Sequence, residues 1–252
     1  MAGRLEGRRA VISGASSGIG EATALAMAGE GASVALGARR KDLVDAVAER
    51  IGGEGGEAIA FEVDVGDEAA ARGFVEQAAE RMGGLDILVN NAGVMLLGPV
   101  EAADTGEWRR MIDVNLLGLL YCTHAALPIM REGGGGDVVN LSSVAGRNAN
   151  FGSGVYNMTK FGVVAFSESL RQEAVVSDSG VRVTCVEPGF VATELQSHNT
   201  HPMVVETIDK MRAQIGEVLA PEDIAEAILY AVGQPERVAV NEILVRPRRQ
   251  AR

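Results

Sequence analysis

Hydrophobic positions alternate between two textures along the chain. Short runs rich in Val, Ile, Leu and Ala occur at 9–13 (RAVIS), 33–38 (SVALGA), 58–63 (AIAFEV), 86–90 (DILVN), 137–143 (DVVNLSS), 181–188 (VRVTCVEP) and 240–245 (VNEILV). Most are apolar on both faces, as strands buried between two layers are. Between them lie longer segments with a period near 3.6, at 18–29, 41–51, 67–82, 107–131, 155–176 and 221–232, which predict helices. Buried strands joined by crossovers of a dozen or more residues predict an α/β fold: a doubly wound, seven-stranded, mostly parallel sheet with helices on both faces. No fixed-period repeat and no linker interrupts the pattern, and EGGGGD at 132–137 reads as a helix-to-strand turn. Residues 1–252 are therefore expected to form a single dinucleotide-binding and catalytic domain. Ligands of such sheets bind beyond the carboxyl ends of the strands, so the chemistry is sought just after each run.

Composition narrows the class. Glycine is 32 of 252 residues, against an ordinary share of about 7%, while proline is 7 and aromatics are 4%. With 47% hydrophobic residues, that excess points to tight turns in a folded core and away from disorder. The formal net charge is −11 and the isoelectric point near 4.8, so neither nucleic acid nor an anionic membrane is an expected partner. Uninterrupted apolar runs fall short of the roughly 18 residues that a membrane span requires, and the first twenty residues do not read as a signal peptide. Cys122 and Cys185 both sit among apolar neighbours, which suits buried thiols in a reducing compartment, and a cytoplasmic location is expected.

The first strand runs into SGASSGIG, residues 13–20. Glycines permit a tight turn and close approach of a phosphate, and the free N–H groups and dipole at the following helix start favour its charge. Gly14, Ser16, Ser17, Gly18, Ile19 and Gly20 are accordingly expected to hold a dinucleotide. After the second strand, where an acidic residue would read the 2′-hydroxyl of NAD, the sequence has Ala38-Arg39-Arg40. Losing the carboxylate and gaining two guanidiniums favours a 2′-phosphate, hence NADP(H) over NAD(H); the competing reading is two solvated arginines at a helix start. Asp64 and Val65 follow the third strand and Asn91, Ala92 and Gly93 the fourth. There Asp64 could accept from an adenine amino group and the small pair could admit a ribose, although all these residue types also favour ordinary turns.

Tyr156 and Lys160 stand four apart on a helix and share a face. A tyrosine of pKa about 10 must lose roughly three units to exchange protons near neutrality, and a neighbouring ammonium acts in that direction. Ser143, at the end of the fifth strand, could donate to a carbonyl oxygen. Asn115, a polar residue in the apolar run VNLLGLL, reads by itself as a satisfied core amide bridging backbone groups.

Taken together these residues resemble the short-chain dehydrogenase/reductase superfamily in its single-domain form of roughly 250 residues. SGASSGIG resembles its cofactor loop, NNAG at 90–93 its sheet-stabilising motif, and Asn115, Ser143, Tyr156 and Lys160 its catalytic tetrad; PGFVAT at 188–193 resembles the segment that holds the nicotinamide carboxamide, here through Pro188, Gly189, Val191 and Thr193. The resemblance implies a Rossmann-type fold and an NADP-dependent oxidoreductase that interconverts an aldehyde or ketone with an alcohol. It implies that Tyr156 is general acid and base, that Ser143 polarises the substrate oxygen, that Lys160 lowers the tyrosine pKa and binds ribose, and that Asn115 holds a relay water. Ser13 stands where threonine is usual, and Ser17 where many NADP-specific relatives carry a second basic residue. Stretches such as GGLDILVNNAGVMLLGPVE, the HNTH segment and the ending VNEILVRP are similar to NADP-dependent reductases of the clavulanic acid dehydrogenase kind, which reduce an aldehyde.

A substrate pocket is expected between Ala145, Gly146, Arg147, Asn148 and Phe151 on one side and Phe190 to Met203 on the other, with a lid over about 190–215. His198 and His201 are three apart, but no third ligand is placed beside them, so no metal is expected. The stripe Val155, Thr159, Val163, Phe166 and Leu170 reads as core or subunit interface, and the family's assembly implies a homotetramer built as a dimer of dimers. The ending RPRRQAR reads as a solvated tail. Two other readings stand beside the reductase: a nucleotide-sensing protein without catalysis, and an enzyme that recycles its cofactor in epimerisation or elimination.

Overall fold

The computed structural model describes residues 3–251. Seven strands, β1 (Arg9–Ser13), β2 (Ser33–Ala38), β3 (Ala58–Glu62), β4 (Ile87–Asn90), β5 (Gly136–Leu141), β6 (Val181–Pro188) and β7 (Glu242–Val245), form one sheet in the order β3-β2-β1-β4-β5-β6-β7. Every pairing is parallel. This is the expected doubly wound, Rossmann-type sheet.

Alternation along each strand divides the core. Ala10, Ile12, Val34 and Leu36 face α1 (Gly18–Gly29), α2 (Lys41–Gly53) and α8 (Pro221–Val232). Val11, Ala35, Leu88 and Val138 face α3 (Glu68–Met82), α5 (Leu119–Glu132) and α6 (Gly154–Val176). Gly37 in β2 lets α3 approach, since a Cβ there would lie 2.5 Å from Phe74 Cζ. Between β4 and β5 the buried amides of Asn90 and Asn140 join, Asn90 Nδ2 donating to Asn140 Oδ1 and to Thr123 Oγ1 at 2.9 Å each.

The helix expected over 107–131 is α4 (Thr105–Ile112), a π-helical turn (Asp113–Gly118) and α5 in succession. By length and mean hydropathy alone the stretch Thr105–Glu132 is long and apolar enough to cross a bilayer, although charged residues interrupt its apolar runs. Its apolar positions have protein neighbours: Cys122, Ala125, Ala126 and Met130 pack on the α3 side of the core, and Leu119 packs with Val163. Helix α7 (Pro202–Ile215) lay unassigned between the last two predicted strands.

The α6 stripe faces inward: Thr159, Val163 and Leu170 are buried, while Met158, Phe161, Val175 and Val176 carry the helix's exposed apolar surface. The carboxyl-terminal arginine-rich segment is not simply solvated. Pro247 is buried, and Gln250 Oε1 accepts from the Phe190 N–H at 2.8 Å.

Opposite the ligand edge, Asp137 at the start of β5 is buried between Arg8 and Arg182, with guanidinium nitrogens 2.8 Å from each carboxylate oxygen. Arg182 also donates to the carbonyls of Gln234, Pro235 and Val238, tying the β6 start to the α8 exit. Asp137→Ala leaves two facing cations without their shared partner. It is expected to cost about 2–3 kcal/mol of stability in denaturant titration while leaving the distant cleft's affinity for nucleotide unchanged.

Candidate active site

Strand order reverses between β1 and β4, which opens a crevice at their carboxyl ends. Gly14 leaves β1 with φ +69°, and a Cβ on it would lie 2.7 Å from Ala92 Cα. A Cβ on Gly20 would lie 2.2 Å from the Gly14 carbonyl oxygen. The two loops are pinned by Asn91, whose Nδ2 donates to the carbonyls of Ser13 and Gly14 at 3.0 Å. The Ser13 hydroxyl oxygen accepts from the N–H groups of Asn91 and Ala92, each at 3.1 Å, so serine does here what threonine would. Ser17 caps α1 by position only, with no side-chain cap bond. The N–H groups of the first turn are therefore open to an anion.

The resulting cleft has a volume of about 290 Å³. Every residue expected to contact the cofactor lines it except Gly20, which is buried behind Gly14. At the mouth, Arg39 is exposed and bears no hydrogen bond among the described residues; its charge acts on Asp64. Arg40 is engaged: Nη1 donates to Glu194 Oε2 at 2.8 Å, and Nη2 to the hydroxyls of Ser17 and Ser16 at 2.7 and 3.1 Å. Asp64 accepts from the Gly66 N–H at 3.0 Å and from Arg110 Nη1 at 2.9 Å. Burial alone would raise its pKa, but the Arg110 and Gly66 donors outweigh that and hold the carboxyl below its usual range. Arg110 carries no motif signal, and its Nη2 is buried without a partner.

At the inner end, Tyr156 and Lys160 are buried on one face of α6, with Lys160 Nζ 5.9 Å from the tyrosine ring centre. That ammonium donates to the Leu141 carbonyl at 2.8 Å. Ser143 lies just beyond the end of β5, caps the short turn Val144–Gly146 by accepting from the Ala145 N–H at 3.1 Å, donates to the Pro188 carbonyl at 3.5 Å and lies close enough to Tyr156 to act on its hydroxyl. Burial pushes the Tyr156 hydroxyl up to about 12, with Ser143 pulling the other way, and burial pulls Lys160 down to about 8. Desolvation is the leading cause at both groups, and the lysine's hydrogen bond goes to the Leu141 carbonyl.

Asn115 sits in the π-helical turn and does not line the cleft. Its Oδ1 accepts from the Val94 N–H at 2.8 Å, and its Nδ2 donates to the Val94 carbonyl at 2.9 Å and to Thr159 Oγ1 at 3.2 Å. This is the core amide bridging backbone groups, and it fixes the strand β4 loop beside Lys160.

Of the residues expected to wall the substrate, Ser143 and Tyr156 line the cleft. Ala145 is buried against Met111 and Tyr156, Phe151 is 83% exposed, and neither lines the cleft. Asn148 turns its carbonyl to Asn157 Nδ2 at 2.8 Å. Arg147 reaches across the sheet edge to Glu187, itself fully buried, and to Glu242. Phe190 is held through its backbone by Gln250 and Leu219. Leu195, Gln196 and His198, from the turn Glu194–His198, line the cleft. Asn199 fastens that turn by accepting from the Leu97 N–H at 2.8 Å; His201 begins α7.

A family model described as short chain dehydrogenase matches residues 8–203. Glycine betaine reductase ATRR of Emericella nidulans is 44% identical over 98% of this chain, which spans only 19% of that protein's length. An uncharacterized oxidoreductase of Staphylococcus saprophyticus is 40% identical over 96% of both chains. The closed form of serine dehydrogenase complexed with NADP+ superposes with a TM-score of 0.87 at 31% identity, over 97% of this chain and 96% of that one.

The buried lysine has a thermodynamic signature. With a folded pKa of about 8 against about 10.4 in an unfolded chain, the unfolded state binds more protons between those values, and stability rises with pH across that window. Cys122 and Cys185, pushed up to about 12 by burial, act in the opposite sense above about pH 9. The difference between wild type and Lys160→Met isolates the lysine: in unfolding measured from pH 7.5 to 10, the variant's stability is expected to gain less with pH than the wild type's.

Proposed function

The chain belongs to the short-chain dehydrogenase family, oxidoreductases that use nicotinamide cofactors, and on that premise we propose that it interconverts a carbonyl compound and an alcohol with NADP(H). The observation that carries the reading is the convergence of the Ser143 and Tyr156 hydroxyls beside Lys160 at the inner end of a cleft. The outer end of that cleft presents Arg39, whose guanidinium bears no hydrogen bond among the described residues.

A bound nicotinamide supplies or accepts the hydride. The protein's part is to place and protonate the oxygen. Ser143 donates a hydrogen bond to the carbonyl oxygen and aligns it, and Tyr156 gives its proton to that oxygen as negative charge develops there. Lys160, wedged between the Leu141 carbonyl and the tyrosine ring, faces the space a nicotinamide ribose would take. Asn115 acts through Val94, fixing the loop against which that ribose would rest. Ala38 and Arg39 favour a 2′-phosphate over a bare ribose hydroxyl.

The substrate is a small carbonyl compound admitted past Leu195 and His198, which line the cleft, and segment 190–215 serves as its lid. Cys122 and Cys185, buried and unpaired, suit a reducing compartment such as the cytoplasm. The exposed apolar residues Met158 and Phe161 on α6 support assembly into a homotetramer, which light scattering tests directly.

A panel of aldehydes, ketones, hydroxy acids and polyols, with the trimethylammonium aldehyde that corresponds to glycine betaine, followed by NADPH absorbance, identifies the substrate class. On the best substrate, Tyr156→Phe is expected to lower kcat by roughly 10²–10⁴-fold with NADPH affinity within about twofold; full turnover by that variant overturns the mechanism. Arg39→Ala is expected to lower kcat/KM about tenfold with NADPH and to leave the value with NADH nearly unchanged.

A further inference from the structure

The two arginines at the mouth of the cleft are not equivalent. Arg40 is the residue from which α2 starts, and its side chain crosses the mouth to the glycine turn at Ser16 and Ser17 and to Glu194 beyond the β6 end. We propose that Glu194 is a specificity-determining residue of the nucleotide cleft: its carboxylate competes with a nucleotide 2′-phosphate for Arg40 and so limits the preference for phosphorylated nucleotide. The inference rests on the reading of this cleft as a dinucleotide site.

Three observations carry it. Glu194, Arg39 and Arg40 line the same cleft, so the carboxylate faces the space a 2′-phosphate would enter. The root of its segment is packed: a Cβ on Gly18 would lie 3.1 Å from Thr193 Cγ2, and Thr193 Oγ1 caps the Glu194–His198 turn by accepting from the Leu195 N–H at 3.4 Å. Glu194 therefore stays at the mouth whether or not it holds Arg40. The Arg40–Glu194 pair is exposed, at 45% and 55% for the two side chains, so it contributes little to stability and yields to a stronger anion.

A 2′-phosphate brings −1.5 to −2 charges. It must displace Glu194 from Arg40 and then lie beside the released carboxylate. A neutral 2′-hydroxyl meets neither demand. The charge of Glu194 thus penalises NADP(H) selectively, and the penalty weakens as salt screens the mouth.

The test is a fluorescence titration of wild type, Glu194→Gln, Arg40→Ala and the double variant with NADPH and with NADH, in low salt and in roughly 0.5 M salt. Glu194→Gln keeps the side-chain shape and removes the charge. It is expected to bind NADPH about two- to fivefold tighter than wild type in low salt, with NADH affinity unchanged and the gain collapsing in high salt. In the Arg40→Ala background, the same substitution is expected to change NADPH affinity less. Equal shifts for both nucleotides, or no gain for NADPH, overturn the proposal. A wild type that prefers NADPH together with a silent Glu194→Gln removes this inference and leaves the cofactor reading standing. A wild type indifferent to the two nucleotides removes the NADP(H) preference from the cofactor reading, and this inference falls with it only where Glu194→Gln is equally indifferent.

Discussion

Backbone meets backbone at the point where β1 and β4 diverge, closer than any side chain would allow, and the rest of the ligand edge is organised around that contact. Gly14 faces Ala92 at a distance a Cβ could not occupy, and Gly20 faces the Gly14 carbonyl more closely still. Asn91 turns this steric coincidence into a fixed joint by bonding to the carbonyls of Ser13 and Gly14, while the Ser13 hydroxyl oxygen accepts from the opposite loop. The joint sets where α1 begins and hence where its unbonded N–H groups point. A larger residue at either glycine would move the helix start away from β4 and open the crevice at its base.

The inner end of the cleft follows from a second close packing. Gly146 lets the turn after β5 press on α6, for a Cβ there would lie 2.8 Å from the Lys160 carbonyl oxygen. Ser142 Oγ donates to that same carbonyl at 2.9 Å, which fixes the rotation of α6 and so the direction of Tyr156 and Lys160. Both side chains are thereby held out of water. Desolvation consequently shifts each toward its neutral form, pushing the tyrosine up and pulling the lysine down. Ser143 is the group that offsets desolvation at the tyrosine oxygen, so placement of that hydroxyl by the β5 end matters as much as the identity of the tyrosine. The π-helical turn around Asn115 belongs to the same arrangement: it turns an amide inward in a helix that otherwise presents apolar residues, and the amide saturates the Val94 backbone.

Features governed by local patterning were legible in the sequence. The strands and most helices follow from alternation and period, and the glycine turn, the Ala38-Arg39-Arg40 edge and the Tyr156–Lys160 face follow from spacing within one element. What was not legible depends on which distant group a side chain finds. Arg147 reads as a pocket wall until Glu187, forty positions away and fully buried, claims its guanidinium. Arg40 reads as a free phosphate ligand until Glu194 arrives from the end of β6. Gln250 lies in a segment that composition marks as solvated, yet it holds the Phe190 backbone. Arg110 pairs with Asp64 across forty-six positions. Periodicity states which face a residue occupies; it carries no information about the charge that will meet it there.

On the proposed reading of the cleft as a dinucleotide site, these long-range pairs account for how a chain of net charge −11 would receive a polyanion. The overall field opposes approach of a dinucleotide, but at physiological salt it fades over about 8 Å, so the charges within that range of the mouth decide. Of the nearby cations, Arg110 is answered by Asp64 and Arg40 by Glu194, which leaves Arg39 as the cation at the mouth without a carboxylate bonded to it among the described residues. On the proposed NADP(H) reading, the neutral donors of the α1 start would carry the diphosphate, and recognition of the further phosphate would fall on the residual charge of Arg39. Affinity at this edge is therefore set by how completely two acids neutralise their arginines, more than by how many arginines the sequence supplies.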